Sequence, residues 1–302
     1  MKINVALDWT PNINHIGFYV ARHLGFYEQS GINIQLINPL DDDYATTPGK
    51  KLELNIADFA IAPFETVISL NNKKNKVNAV AVFAILQEDL SSIVTLKSSG
   101  ITLPKQLDHK TYASYKARYE DHIVKQMMMN NGGKGVLNIV YPDKLGIWNT
   151  LLEGKADATW IFDNWEGVEA ETRNVELNRF RMSDFGIPYG YSPVILTTKE
   201  NIAKHEAAYI NFINATKQGY LFAKENQIKA VSILQNYVTV HDLNNIDIHK
   251  SLERTAPYFG DIHTCGKMRT ERVKEFLKWL VENKLEDEII LTQELYTNSL
   301  IQ

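Results

Sequence analysis

A chain of 302 residues is long enough for two domains or one large one. With 32 Lys and Arg against 36 Asp and Glu, its formal net charge is −4, so it lacks the electrostatic footprint of a general nucleic-acid binder. Hydrophobic residues make up 44%, enough for a real core, and the single cysteine, Cys265, excludes an internal disulfide and a CxxC metal site.

The first segment, Lys2–Leu7, is a short β-branched run that turns acidic at Asp8. A secretory leader has a basic stretch, an apolar stretch and a small-residue cleavage site, and this opening has no such order. As it stands the chain reads as cytoplasmic; it reads as periplasmic or cell-surface if a leader has been trimmed. No run approaches the ~18 apolar residues of a membrane-crossing helix, so no direct membrane insertion is expected.

Ile16–Glu28 has helical apolar spacing at Phe18, Val20, Ala21 and Leu24, with Gly31 beyond its end. Ile32–Ile37 alternates with period two, as a strand does. Leu54–Ala62 and Val77–Leu86 read as strands flanking a helix at Glu65–Asn72. This βαβ alternation predicts an α/β fold with a largely parallel sheet. The theme repeats with Thr111–Ser114 as a strand, Ala117–Asn130 as a helix, Val136–Val140 as a strand, Leu145–Glu153 as a helix and Ala156–Phe162 as a strand. Val194–Thr198 reads as a returning strand. Beyond it, His205–Tyr220, Glu225–Tyr237, Asp247–Pro257, Thr270–Asn283 and Thr292–Leu300 are expected to be mainly helical. The expected architecture is two α/β lobes with a helical C-terminal part. Residues 1–98 and 195–302 form one lobe and 99–194 the inserted one.

Four clusters carry chemical information, each at the end of an expected strand, where open α/β sheets bind ligands. In Leu7–His15, Trp9 offers a face for ring stacking, and Asn12, Asn14 and His15 offer donors and acceptors. A purely structural use is equally open: Asp8 or Asn14 caps the helix and Trp9 fills a core. Glu65, after Ala60–Phe64, either complements the helix dipole or accepts from an exocyclic amine of a ligand. In Trp160–Glu169, two tryptophans stand among the carboxylates Asp163, Glu166 and Glu169, a composition suited to a flat, amine-bearing ring. In Ser114–Tyr119, backbone N–H groups with Lys116 and Arg118 could hold an anion, or form a solvated basic helix start.

GxSxG, GxxxxGK[ST] and HExxH are absent, and none of the eight histidines has a helical i, i+4 partner in a ligand arrangement. No catalytic residue and no metal ligand is therefore nominated, and Cys265 reads as a buried, inert thiol.

The motifs Leu7-Asp8-Trp9-Thr10-Pro11-Asn12, His15–Ala21 and Gly25-Phe26-Tyr27 resemble the opening of the NMT1/THI5-like family. Ala57–Ile61, Lys97–Ile101, Leu152–Ala158 and Asn164–Glu169 keep that family's order and spacing. The resemblance spans roughly residues 3–290. It implies a two-lobe, type II periplasmic-binding-protein fold with a cleft between the lobes. It also implies either the binding of thiamine-pyrimidine precursors for an ABC permease or the synthesis of hydroxymethylpyrimidine phosphate. The synthase branch uses pyridoxal phosphate on a lysine, consumes its own histidine and needs iron. It places that lysine and histidine where this chain has Ala62-Pro63-Phe64-Glu65-Thr66, and cysteines where this chain has Tyr191-Ser192-Pro193-Val194-Ile195. The implied function is thus binding of a formylaminopyrimidine- or hydroxymethylpyrimidine-type ligand for uptake or salvage, with no cofactor. By the resemblance, Trp9, Asn12, His15, Glu65, Tyr115, Trp165, Glu166 and Tyr189 face the cleft, and the acidic cluster adds Asp163. The family also serves sulfonate- and nitrate-like ligands, an alternative that Lys116 and Arg118 keep open.

Overall fold

A computed structural model describes residues 1–302, the side chain of Leu145 excepted. Strands β1 (Lys2–Ala6), β2 (Asn33–Ile37), β3 (Phe59–Ala62), β4 (Ala79–Ala84), β5 (Ser91–Leu96), β6 (Thr111–Ala113), β7 (Asn138–Val140), β8 (Ala158–Phe162), β9 (Leu177–Phe180) and β10 (Val194–Thr198) form two five-stranded sheets. The first has the order β2-β1-β3-β10-β4 and the second β7-β6-β8-β5-β9. In the first, β1 runs parallel to β2 and β3, while β10 runs antiparallel to β3 and β4. In the second, β6 runs parallel to β7 and β8, while β5 runs antiparallel to β8 and β9. The two sheets therefore share one plan, and each inserts one strand from a lobe crossing against the direction of its neighbours.

Both sheets are mixed, which corrects the expectation of a largely parallel one. The first crossing also falls earlier than 98. Ser91–Leu96 hydrogen-bonds within the second sheet, so the chain changes lobe between Ala84 and Ser91. Val194 already belongs to the first sheet. The strands β4 and β10 are buried along their whole length, as expected where both faces of a sheet are covered.

Several helices differ from the sequence reading. Gly25, at φ 76°, breaks the expected Ile16–Glu28 helix into Ile16–His23 and Phe26–Gln29. Pro48–Glu53, entered through a Thr47 cap, is a helix where no element was expected, and the strand expected over Leu54–Ala62 begins only at Phe59. Thr292–Leu300 is not helical beyond Thr292, which ends a short 3-10 turn from Glu288. Its backbone pairs with β4, with Ala81 N–H donating to Leu295 O and Thr297 N–H to Ala81 O, each at 2.9 Å.

The long helix Lys199–Glu225 packs against Ile16–His23 at a close crossing of small residues. A Cβ placed on Gly219 would lie 2.0 Å from the Gly17 carbonyl oxygen. Phe18, Tyr27, Phe59 and Phe212 fill the space beside the crossing as a group of stacked and tilted rings. The cores are not confined to single lobes. Trp165 and Val168 of the second lobe join the core of the first. The C-terminal helix Thr270–Glu282 brings Phe276 against Tyr119 of the second lobe, in a core that also holds Ile68 of the first.

Gly219→Ala is expected to lower the unfolding free energy by about 1–3 kcal/mol through overpacking, measured by urea denaturation. An unchanged midpoint would show that the two helices can separate at no cost.

Candidate functional site

The loops after β1, β3, β6 and β8 converge on one cavity of about 390 Å³. This volume suits a small organic ligand. Trp9 and Asn12 follow β1, Glu65 follows β3, Tyr115 follows β6, and Trp165 and Glu166 follow β8. Tyr189 enters from the segment that returns the chain to the first lobe.

The first loop is organised by His15. Its Nδ1 accepts the Asn12 N–H at 3.2 Å, which leaves the proton on Nε2, and Nε2 donates to Asp8 Oδ1 at 2.7 Å. His15 is fully buried and does not line the cavity. Its expected place in the cleft is thus corrected: it braces the Asp8 carboxylate, which does line the cavity. Asn12 Oδ1 accepts the Asn14 N–H at 2.9 Å and caps the short turn Ile13–His15. Asn14 Oδ1 in turn accepts from Asn164 Nδ2 of the second lobe at 2.9 Å.

Of the four carboxyl groups that line the cavity, Glu65 and Glu166 face it from opposite lobes, and neither has an ion-pair partner among the described residues. Glu65 is 4% exposed. Burial pushes its carboxyl up to about 7, against the lowering effect of the Tyr189 hydroxyl, which donates to Oε2 at 3.2 Å. Neighbouring Glu120 adds to the rise, and the backbone N–H groups of Arg118 and Tyr119 oppose it. Glu166 is partly open to the cavity but enclosed by protein, and burial pushes it up to about 7 as well. The Phe162 N–H donates to its Oε2 at 3.0 Å. Near neutrality each group can therefore present either a hydroxyl donor or an acceptor-only carboxylate.

Aromatic rings supply the walls. Trp9 packs between Tyr44 and Tyr115, with ring centroids 5.9 and 6.0 Å apart. Trp160 meets Tyr189 edge-on at 5.2 Å. Lys144 of the second lobe places its ammonium 5.3 Å from the Tyr44 ring of the first, and burial lowers its pKa.

The structure does not bring every expected residue to this cavity. Asp163 lies outside it, on a second depression of about 770 Å³. There Asp163 Oδ1 accepts from Arg179 Nε at 3.0 Å and Oδ2 from Ser92 Oγ at 2.7 Å, so it ties the strands of the second sheet together. Glu169 pairs with Arg173 at 2.7 Å. Lys116 and Arg118 do line the cavity, but the anion cradle expected around them is already filled. Glu120 accepts the N–H groups of Tyr115 and Ala117, and Glu286 holds the Arg118 guanidinium. Sequence reasoning missed Tyr44, Glu120 and Lys144, and left Trp160 without an assigned role. Tyr44 sits among acidic loop residues with a left-handed backbone, φ 60°, and its hydroxyl donates to the Asp8 carbonyl oxygen, a contact 36 residues away in sequence.

The paired lobes, the antiparallel strand that follows each crossing and the cavity between the lobes define a binding-protein fold. The alkanesulfonate-binding protein SsuA from Xanthomonas axonopodis superposes with a TM-score of 0.71 at 11% identity, covering 98% of each chain. The ligand-binding component of an ABC-type import system from Staphylococcus aureus gives 0.73 at 13%, covering 100% of this chain and 98% of that one. The NMT1/THI5 like family model matches residues 12–230, and the chain belongs to that family. Among its relatives are the formylaminopyrimidine-binding protein of Halalkalibacterium halodurans, 20% identical over 98% of this chain and 89% of the relative. Another is the 4-amino-5-hydroxymethyl-2-methylpyrimidine phosphate synthase of Legionella pneumophila, 21% identical over 98% of this chain and 91% of the relative.

The raised carboxyls give a signed pH dependence. Over the window from about 4.5 to about 7 the folded protein holds the Glu65 proton that the unfolded chain has released. Its contribution to stability therefore falls as pH rises through that window. Glu65→Gln is expected to gain stability relative to the parent at pH 8 compared with pH 5, read by urea denaturation at both values. A difference between the two proteins that does not change with pH would show that Glu65 titrates normally.

Proposed function

We propose that the cavity binds a thiamine-related aminopyrimidine of the formylaminopyrimidine or hydroxymethylpyrimidine type. The observation that carries this reading is the pair Glu65 and Glu166, one from each lobe, enclosed by protein beside aromatic rings and with no ion-pair partner among the described residues. A 4-aminopyrimidine has two amine N–H donors and ring nitrogens that accept, on a flat apolar frame. A carboxylate takes the amine, a protonated carboxyl donates to a ring nitrogen, and Trp9 or Trp160 covers a face. Ligand contacts to both lobes favour the closed arrangement. The relative named as a formylaminopyrimidine-binding protein supports the ligand class.

The role that fits is precursor uptake or salvage. An uptake role calls for an ABC permease as partner and a periplasmic or cell-surface location; a salvage role calls for the cytoplasm. Neither needs a resident cofactor.

The relatives named as pyrimidine phosphate synthases raise a second reading. The chain's residues do not fit the iron that this reading implies. No group of three or more His, Cys, Asp or Glu side chains placed to hold a metal occurs among the described residues. Cys265 is buried in the core of the first lobe, and burial pushes its thiol up to about 12. The segment after β3, where the resemblance calls for a lysine and a histidine, supplies Glu65 instead. Lys116 and Lys144 are the lysines on the cavity wall among the described residues, and both come from the second lobe.

Isothermal titration with hydroxymethylpyrimidine and formylaminopyrimidine tests the proposal. At least one is expected to bind. Glu65→Gln and Glu166→Gln are each expected to weaken it by about ten- to a hundredfold, the loss of one charged hydrogen bond. Trp9→Ala is expected to cost about tenfold. Binding of neither compound, or affinities untouched by both Glu substitutions, would overturn it.

A further inference from the structure

The turn between β6 and the helix Glu120–Asn130 has the donors of an oxyanion site: successive backbone N–H groups followed by Arg118. In this chain they are satisfied from within. Glu120, 2% exposed, accepts from the Tyr115 N–H at 3.0 Å, the Ala117 N–H at 3.1 Å and the Tyr112 hydroxyl at 2.8 Å. The Lys116 N–H goes to Ser114 Oγ at 3.0 Å. Arg118 turns its guanidinium to Glu286, with Nε 2.9 Å from Oε1.

Glu286 is itself firmly held. Its side chain is 8% exposed. Oε1 also accepts from the Tyr119 hydroxyl at 2.6 Å, and Oε2 from Asn72 Nδ2 of the first lobe at 2.7 Å. A carboxylate with this many donors fixes the arginine in place and cancels its charge. The remaining charge around the cavity is not inviting to an anion. Asp8, Glu65, Glu120 and Glu166 line it, against Lys116, which is exposed, and Lys144, which lies over Tyr44.

We propose that Glu286 is a positioning residue for selectivity: by holding Arg118 from behind, with Glu120 filling the adjoining N–H groups, it makes the cavity refuse oxyanions and select an uncharged aminopyrimidine over its phosphate ester. The preference between the two esterification states rests on the pyrimidine reading above; the refusal of oxyanions does not. Selectivity here comes from an occupied site rather than from a missing one.

The test compares the wild-type chain with Glu286→Ala and with Glu286→Gln, which keeps the shape and removes the charge. Dissociation constants for hydroxymethylpyrimidine and for its phosphate ester are measured by titration. Inorganic phosphate alone is added in thermal melts. The wild type is expected to favour the alcohol by at least about tenfold, and both variants to shift the ratio toward the ester by about tenfold or more. Inorganic phosphate is expected to raise the melting midpoint of the variants and not of the wild type. A merely structural role would lower the midpoint of the variants without moving the ratio. A wild type that binds the ester as tightly as the alcohol, through Lys144 or Lys116, overturns the inference. So do variants whose ratio and phosphate response match the wild type. If the wild type binds neither pyrimidine, the pyrimidine reading falls, and the phosphate response alone decides the inference for or against.

Discussion

The structure depends on a topological constraint: two sheets of the same plan whose central strands deliver their following loops to one shared space. The loop after β1 brings Asp8 and Trp9, that after β3 brings Glu65, that after β6 brings Tyr115, and that after β8 brings Glu166. Ligand sites of open α/β sheets lie at the carboxyl ends of strands because the loops there are free of the packing that fixes the strands. Doubling the sheet surrounds the ligand from two sides. The strands β5 and β10, the first after each crossing, anchor the chain in its new sheet, since each is held by neighbours on both edges.

That frame explains how unpaired carboxyls are tolerated. A buried carboxylate without a cation is costly, and a protein responds by keeping it protonated or by surrounding it with donors. Burial raises the Glu120 carboxyl as well, but two backbone N–H groups and a tyrosine hydroxyl bonded to it oppose the rise. Glu65 and Glu166 each accept one close hydrogen bond, from the Tyr189 hydroxyl and the Phe162 N–H, and are raised to about 7. The contrast separates structural carboxylates from those left free for a ligand. Asp8 lines the cavity with one oxygen bonded to His15.

The fold class and the strand-end clusters were legible in the sequence because they rest on local signals. Apolar periodicity marks the strands, and an aromatic beside a carboxylate at a strand end is unusual enough to notice. The direction of a side chain is not local. His15 follows Asn12 and Asn14, and nothing in that spacing shows that its ring turns inward to Asp8. Asp163 stands beside Phe162 on the cavity wall, yet Arg179 on β9 and Ser92 on β5 draw it away, and both partners are distant in sequence. The strand Ser91–Leu96 was hidden for a related reason. As an inserted strand covered on both sides, it buries Ser91, Ser92 and Thr95 and so lacks the alternation that identifies a half-exposed strand. Leu177–Phe180 is short and only half-buried, with equally little pattern.

The shared cores bear on how a ligand enters. Trp165 and Val168 are part of the first lobe's core, and Asn164 donates to both Asn14 and Thr255 at 2.9 and 3.1 Å. Arg254 adds a bond to the Asp163 carbonyl at 2.8 Å and grips Glu171. One wall of the cavity is therefore assembled during folding, before any ligand arrives, and its ordering cost does not fall on binding. Separating that wall would expose apolar surface and strand buried polar groups. The contacts on the other rim are of a different kind. Lys144 lies over Tyr44, and Arg118 and Tyr119 reach Glu286, which Asn72 joins. The Lys144 contact is half-open to water and costs little to replace, whereas Glu286, its side chain 8% exposed and held by several donors, keeps Arg118 in place. On this rim the Lys144 side chain can yield to a ligand while Arg118 stays with Glu286 and the aromatic and carboxyl frame stays in place.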